Sequence, residues 1–482
     1  MRNLVVILGI PIDNLDMEEA LDCIDEFIRV GRATGKSHQI ATVNTDFVVK
    51  SLQDPELRYL LQEADLTTAD GMPLVWGARL LGVPLKERVA GADMVPALAA
   101  RAAEKGYSMY FLGAAPGVAA RAAEILQNRH PGLKIAGVHS PPKSSVLEMP
   151  LSIIEDIKTA NPDILLVAFG NPKQEKWIGM YARELNVPVM IGVGGTFDFI
   201  AGMTKRAPLW MQRIGLEWLH RLLQEPRRLW RRYVVDVFAF SSFYIRQWWF
   251  MRTGGRVPAP LLPATDVLIL DGVAIMNVKG RVDMSNSQTL MEKGQAALEK
   301  SPYLIINLAD NTFIDSSGIG ALIGLAKQAR NLGGDVRLAA VPDFTRKILA
   351  WMRLDRFFEI VDSVKAGWPS ANAGPSTPQT HRRGVWTVYR MPRRMDATTT
   401  PDILASCAAL LEENPFLILD FSDTVFLSSA GLAGLSRLNR QAGSLKGALR
   451  LCCCAEDITK VIKLAGFDKV LSIYPDADAA TQ

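Results

Sequence analysis

The strongest constraint on this 482-residue chain is a duplication: most of its C-terminal half is written twice, at a constant offset of 113 residues. Asp283 matches Asp396, Ser316 matches Ser429, Arg337 matches Arg450, Lys347 matches Lys460 and Asp355 matches Asp468, with no insertion needed. Register held over a whole segment marks a duplicated domain of about one hundred residues. Each copy reads strand, strand, helix, strand, helix, strand, helix, so each is expected to be a small α/β domain. Two Pro/Gly/Ser-rich stretches, 253–266 and 365–384, set the copies off as 267–364 and 385–482. The length agrees, since ~100–200 residues per domain predicts about three domains.

The remaining segment alternates short apolar runs with longer amphipathic stretches. The runs are HQIATVNTDFVV, DLTTADG, SMYFLGAAPG, LKIAGVHS, DILLVAFGNP and VPVMIGVGG. Buried strands alternating with helices imply crossover units and a mostly parallel, Rossmann-like sheet over residues 1–208. Ligands of open α/β sheets sit outside the carboxyl ends of the strands, so polar residues there are the first site candidates. Residues 209–252 are different: eight arginines, from Arg213 to Arg252, stand among Trp218, Trp230, Trp248 and Trp249. Arginine beside tryptophan on amphipathic helices predicts a helical appendage facing a membrane surface.

Composition excludes more than it identifies. With 49% hydrophobic and 22% charged residues the chain reads as globular, and a formal charge of +4 gives no ground for a nucleic-acid partner. No apolar run reaches the ~20 residues of a spanning helix, and MRNLVVILGIPID reads as a first strand rather than a secretory signal. The expected location is cytoplasmic, peripheral on the inner face of the cell membrane. The five cysteines include the run Cys452, Cys453 and Cys454, which lacks metal-ligand spacing and is read as packing. No metal or cofactor is expected.

Seven stretches of the first segment, in order, resemble the WecG/TagA/CpsF glycosyltransferases: TVNTDFV, TTADGMPLVWGARLLG, ERVAGADMVPAL, YFLGAAPGVA, PDILLVAFGNPKQEKWI, IGVGGTFDFIAGMTKRAP and GLEWLHRLLQEPRRLWRRY. The resemblance spans about residues 3–245. It implies metal-independent, inverting transfer of N-acetylmannosamine, its uronic acid or glucose from a UDP-sugar to a polyprenyl-diphosphate-linked sugar during cell-envelope or exopolysaccharide synthesis. Inverting transfer needs a carboxylate to accept the proton of the attacking hydroxyl. Asp70, at a strand end before Gly71 and Pro73, matches that role; its alternative is to cap the helix starting near Met72. Thr42, Asn44, Arg88 and Gln174 match the family's pocket, with Arg88 suited to the departing diphosphate. Gly113, Gly117, Gly194 and Gly195 would let backbone approach the nucleotide. By spacing, Arg221, Arg228 and Arg231 match the family's functional arginines in the appendage.

IDSSGIGAL, in the first copy, resembles STAS domains, the fold of anti-sigma-factor antagonists. The resemblance implies that Ser316, at a strand-to-helix junction, is a phosphorylation site for a partner serine kinase, and that the copies recruit an anti-sigma-type protein partner; the alternative is that Ser316 and Ser317 only cap the helix. In the second copy Asp315 becomes Ser428 and Ser317 becomes Ala430, while Ser429 keeps the place of Ser316. Two other readings compete with a regulated transferase. A catalytically silent signalling scaffold would lack the pocket residues, all of which are present. A nicotinamide oxidoreductase would carry GxGxxG and an acid ~20 residues later, and FLGAAPG is not that fingerprint.

Overall fold

The structure is a computed structural model. It describes residues 4–142, 149, 150, 152–208, 211, 216–224, 226, 230, 240, 241, 244, 245, 247–249, 265–270, 272–367, 380–396, 399–464 and 467–481. The chain forms two compact units, one holding most of the first domain and the first repeat, the other built on the second repeat.

The first domain opens with a hairpin, β1 (Leu4–Ile7) and β2 (Ile10–Asp13), paired antiparallel with Ile7 opposite Ile10. Its two-residue turn, Leu8–Gly9, holds both residues at positive φ, 50° and 83°, as the twist of a tight hairpin requires. After α1 (Met17–Thr34) the chain enters the main sheet with β3 (His38–Val43), α2 (Thr45–Gln53), α3 (Pro55–Glu63) and β4 (Leu66–Ala69). There follow α4 (Met72–Leu80), α5 (Gly91–Lys105), β5 (Ser108–Gly113), α6 (Val118–Arg129), β6 (Lys134–His139) and α7 (Ser152–Ala160). β7 (Ile164–Ala168), α8 (Lys173–Leu185), β8 (Val189–Gly192), α9 (Thr196–Ile200) and α10 (Glu217–Gln224) complete the domain's described elements.

The six-stranded sheet has the order β4-β3-β8-β7-β5-β6, and every pairing is parallel. Its central strands are apolar throughout: Ile164, Leu165, Leu166 and Val167 are all fully buried, as a strand covered on both faces must be. The first run extends well past its strand. NTDFVV starts a helix, because the Asn44 side chain accepts from the Phe47 N–H at 3.3 Å and caps α2.

The first repeat follows as β9 (Thr265–Leu270), β10 (Val273–Val278), β11 (Gly280–Val282), α11 (Ser287–Leu298), β12 (Tyr303–Asn307), β13 (Asn311–Ile314), α12 (Ser316–Asn331), β14 (Asp335–Ala339), α13 (Asp343–Trp351) and β15 (Glu359–Val361). The second contains β16 (Thr380–Arg383), β17 (Trp386–Arg390), β18 (Arg394–Met395), α14 (Thr400–Glu413), β19 (Phe416–Asp420), β20 (Phe426–Leu427), α15 (Ser429–Ser444), β21 (Ala448–Cys452), α16 (Glu456–Leu464), β22 (Ser472–Tyr474) and α17 (Ala477–Thr481). Their five-stranded sheets have one topology, β15-β14-β12-β10-β9 and β22-β21-β19-β17-β16, each with a single antiparallel pair at the first strand. Sequence reading missed the short side pairs β11–β13 and β18–β20 and the last strand of each sheet, which are only two to four residues long.

In the first unit, β1 serves two cores at once. Val5 and Ile7 belong to the first domain's cluster, while Val6 is buried in the cluster of the first repeat. Helix α12 lies against this strand so closely that a Cβ on Gly320 would stand 2.5 Å from the Leu4 carbonyl oxygen. Polar contacts flank the packing: Lys327 Nζ donates to Ala64 O at 2.8 Å, Arg58 Nη1 donates to Met352 O at 2.7 Å, and Arg330 pairs with Glu63.

Where β5 ends, Gly113 has φ +107° and a Cβ there would meet Ala168 O at 2.7 Å, on the neighbouring strand. Both the backbone angle and the space exclude a side chain. Gly113→Ala is expected to lose about 1–3 kcal/mol of stability, read as a lower urea midpoint at unchanged slope.

Candidate active site

A parallel sheet delivers all its strand ends to one edge, and Thr42, Asn44, Asp70, Gly113 and Gly194 lie along it. Thr42, the penultimate residue of β3, is buried, and its hydroxyl donates to Gly192 O of β8 at 3.2 Å. Gly91 opens α5 directly against it: a Cβ there would lie 3.2 Å from Thr42 Oγ1. Asp70 follows β4, and its N–H donates to Val43 O at 2.7 Å, carrying the β3–β4 ladder one residue past the strands. Asp70 is therefore fixed beside Asn44, the residue after Val43; a Cβ on Gly71 would come within 3.8 Å of Asn44 Cβ. The N-cap position of helix α4 is Gly71, the residue after Asp70.

Gln174 differs from its expected part. It is 1% exposed; its Oε1 accepts from the N–H groups of Gly170 and Gly194 at 3.1 and 3.0 Å, and its Nε2 donates to Glu175 at 2.7 Å. The amide pins the loops after β7 and β8 together from below. Gly192 makes room for it, since a Cβ there would stand 2.5 Å from Nε2.

Glu175, which the sequence reading passed over, is fully buried beside Gln174 and accepts from Asn171 Nδ2 at 3.1 Å. Burial pushes its carboxyl up to about 7, against the lowering effect of the bonds from Gln174 and Asn171 and of the Lys50 charge. Lys50 itself donates to Asn171 O at 3.0 Å and pairs with Asp46 at 2.9 Å. Helical periodicity signals both residues, because 174 and 175 lie four and three positions ahead of the buried Ile178, on its face.

Arg88 is also occupied. It pairs with Asp93 at 3.0 Å and with Glu217 of α10 at 3.2 Å, and Arg206 binds the same two carboxylates, at 2.7 Å to Asp93 and 3.5 Å to Glu217. The hydrogen bond to Asp93 holds the Arg206 guanidinium above its ordinary pKa. Two cations against two anions make a neutral cluster that ties α10 to the first turn of α5. A diphosphate would have to displace a carboxylate to reach either arginine. Arg206, within the KRAP stretch, was missed because nothing local tells which arginine of a basic region meets an acid.

The glycines divide. Gly113, Gly117 and Gly194 have positive φ, whereas Gly195 has φ −80° and caps α9 in an ordinary conformation. Arg221 falls within α10, and Arg228 and Arg231 lie outside the described residues. In the appendage Phe240 and Tyr244 stack with centroids 5.4 Å apart, Tyr244 Oη donates to Gly77 O, and Trp248 packs partly against the first domain's core. Trp248 thus faces inward, unlike Trp249 and Trp230, which are 62% and 51% exposed. Among the described residues no helix is long and apolar enough to cross a membrane.

Ser316 is 1% exposed at the start of α12, beneath Gln247 of the appendage, whose Nε2 donates to its Oγ at 3.4 Å. The helix is capped by Asp315, whose Oδ1 accepts from Ser317 and Gly318 N–H at 2.8 and 3.0 Å, rather than by either serine. Ser428 takes that place in the second repeat, accepting from Gly431 N–H at 3.2 Å. There Asp420, Cys452 and Cys453 bring three candidate ligand atoms within 4.8 Å of one another. Burial pushes both thiols up, which opposes the thiolate form a metal needs, and Cys452 packs in an apolar cluster with Trp386 and Ile418.

A Rossmann-like parallel sheet with an aspartate following its β4 strand is thus joined to two copies of a smaller α/β domain. The glycosyl transferase WecG/TagA/CpsF family model matches residues 5–254, and the chain belongs to that family. The STAS domain model matches residues 264–367 and 377–480, so the repeats are tandem STAS domains. The chain is 33% identical over 224 residues to an N-acetylglucosaminyldiphosphoundecaprenol N-acetyl-beta-D-mannosaminyltransferase of Bacillus spizizenii, covering 46% of this chain and 85% of that protein. It is 29% identical to a protein of the same name from Staphylococcus aureus, covering 49% and 91%. Among solved structures it is similar to an anti-sigma factor antagonist from Mycobacterium paratuberculosis, with 25% identity and a TM-score of 0.22, covering 23% of this chain and 95% of that one.

Glu175 supplies a pH test. Its folded pKa lies above the ordinary glutamate value, so between about 4.3 and 7 the unfolded chain holds fewer protons than the folded one and stability falls as pH rises. Glu175→Gln, which is neutral throughout, is expected to flatten that fall. The check is chemical denaturation at pH 5 and pH 7.5, where the variant's midpoint should move less than that of the unsubstituted protein.

Proposed function

We propose that the chain transfers an N-acetylhexosamine from a UDP-sugar to a polyprenyl-diphosphate-linked sugar at a membrane surface. The carrying observation is Asp70, whose backbone is held by Val43 O at the carboxyl edge of the sheet, next to Asn44 and above the buried Thr42. Asp70 takes the proton of the acceptor hydroxyl as that oxygen bonds to the anomeric carbon. The bond to the diphosphate then breaks from the opposite face, which inverts the centre. Charge grows on the departing UDP, and Arg88 and Arg206 are the described cations placed to meet it once Glu217 moves aside with α10. By their match to the family's motif, Arg221, Arg228 and Arg231 would add to this cationic supply. N-acetylmannosamine is the sugar named for the relatives, and it is the donor sugar to try first.

The membrane side of the reading rests on exposed apolar groups. Trp249, Trp230, Trp218 and Leu223 of the appendage, and Trp76 and Leu80 one turn apart on α4, are all more than a third exposed. Such side chains beside arginines suit an interface between lipid headgroups and tails. The STAS pair would recruit or regulate the enzyme through a protein partner.

Asp70→Asn is expected to keep UDP-sugar binding and to lose about 10²-fold or more in turnover on a lipid-diphosphate acceptor. Near-normal turnover would take the base role from Asp70.

A further inference from the structure

We infer that the first STAS repeat is a built-in subunit of the transferase that positions the appendage, with Gln247 as the link between them; the inference rests on the transferase reading above. Gln247 is fully buried. Its Oε1 accepts from Leu8 N–H at 3.0 Å and its Nε2 donates to Val6 O at 3.1 Å, so one carboxamide satisfies the outer edge of β1. The same Nε2 reaches Ser316 Oγ at the first turn of α12. The two residues that follow, Trp248 and Trp249, lie on the appendage's inward and outward sides. The appendage, the catalytic domain's first strand and the repeat's second helix in sequence therefore meet at one amide.

The repeats themselves indicate that this docking is specific to the first copy. On α12 the face toward β1 carries Gly320 and Gly324, and the three atoms nearest a Cβ on Gly320 all belong to Leu4. At the equivalent positions the second repeat has Ala433 and Arg437. A STAS fold thus accepts a side chain at the Gly320 position, and the glycine answers to β1 rather than to its own domain. Met352 O, accepting from Arg58, and Ala64 O, accepting from Lys327, secure the same seam from both sides. In this arrangement the Ser316 hydroxyl is buried against Gln247 of the appendage and is closed to any external enzyme, so a partner reaches it only after this contact has opened.

The test is Gly320→Val in the full-length chain. Three readouts are compared with the unsubstituted protein: hydrogen exchange of the β1 amides, affinity for UDP, and kcat/KM for a polyprenyl-diphosphate-linked sugar in vesicles. We expect faster exchange in β1, unchanged UDP affinity and an acceptor kcat/KM lower by ~5- to 150-fold, the range of ordinary intersite coupling. Unchanged β1 exchange overturns the docking through Gly320, and faster exchange with unchanged acceptor turnover overturns the positioning role. If Gly320→Val does not fold, Gln247→Leu replaces it. That variant leaves α12 intact and removes the link, so the acceptor KM should rise, and an unchanged KM overturns the inference. An unsubstituted protein that is inactive on every lipid-linked acceptor sinks the transferase reading instead, an outcome separate from the exchange result.

Discussion

Successive side chains of a β-strand point to opposite faces, and β1 uses both faces for different domains. Val5 and Ile7 complete the catalytic core while Val6 completes the core of the first STAS repeat. Fully burying one valine is worth about 1.5–3 kcal/mol, so each domain draws a substantial share of its stability from a strand it shares. The surrounding contacts follow from that arrangement. Gly320 lets α12 approach the strand, the tight Leu8–Gly9 turn brings Arg58 and Met352 within reach, and Gln247 closes the outer edge.

The catalytic edge depends on a similar economy. The parallel sheet places Thr42, Asn44 and Asp70 together without long side chains having to reach across. Their position is then fixed from below, by Gln174 joining the loops after β7 and β8 and by Glu175 filling the floor. Cations near the edge are paired with carboxylates: Arg88 and Arg206 share Asp93 and Glu217.

How much of this was legible in the sequence depends on the range of the interaction. Apolar runs of four to six residues bounded by Gly, Asn or Asp gave away the buried strands, and a fixed register gave away the duplication, because both signals are local or repetitive. The error at NTDFVV has a local cause as well, since Asn44 can end a strand and cap a helix with the same side chain. What stayed hidden was pairing over distance. Nothing near Arg88 announces Glu217, which lies 129 residues on, and nothing near Ser316 announces Gln247. Gln174 is assigned to the pocket by its match to the family motif, while its helical phase with the buried Ile178 turns it inward. Trp248 and Trp249 look alike in a list of aromatics, and only the packing separates the one that faces the core from the one that faces out.

The amide of Gln247 has a wider consequence. A strand paired on one side only presents free N–H and C=O groups on the other, and another chain can add itself there. At the end of β1 the outward N–H of Leu8 and C=O of Val6 are covered by a glutamine side chain in place of a neighbouring strand, and the Val6 side chain is buried in the first repeat's core. Cutting the gene at the first linker would keep Gln247 on the strand but remove α12, leaving the Val6 face of β1 bare and prone to self-association. Solubility of the enzyme, and not only its control, thus becomes a property of the fusion.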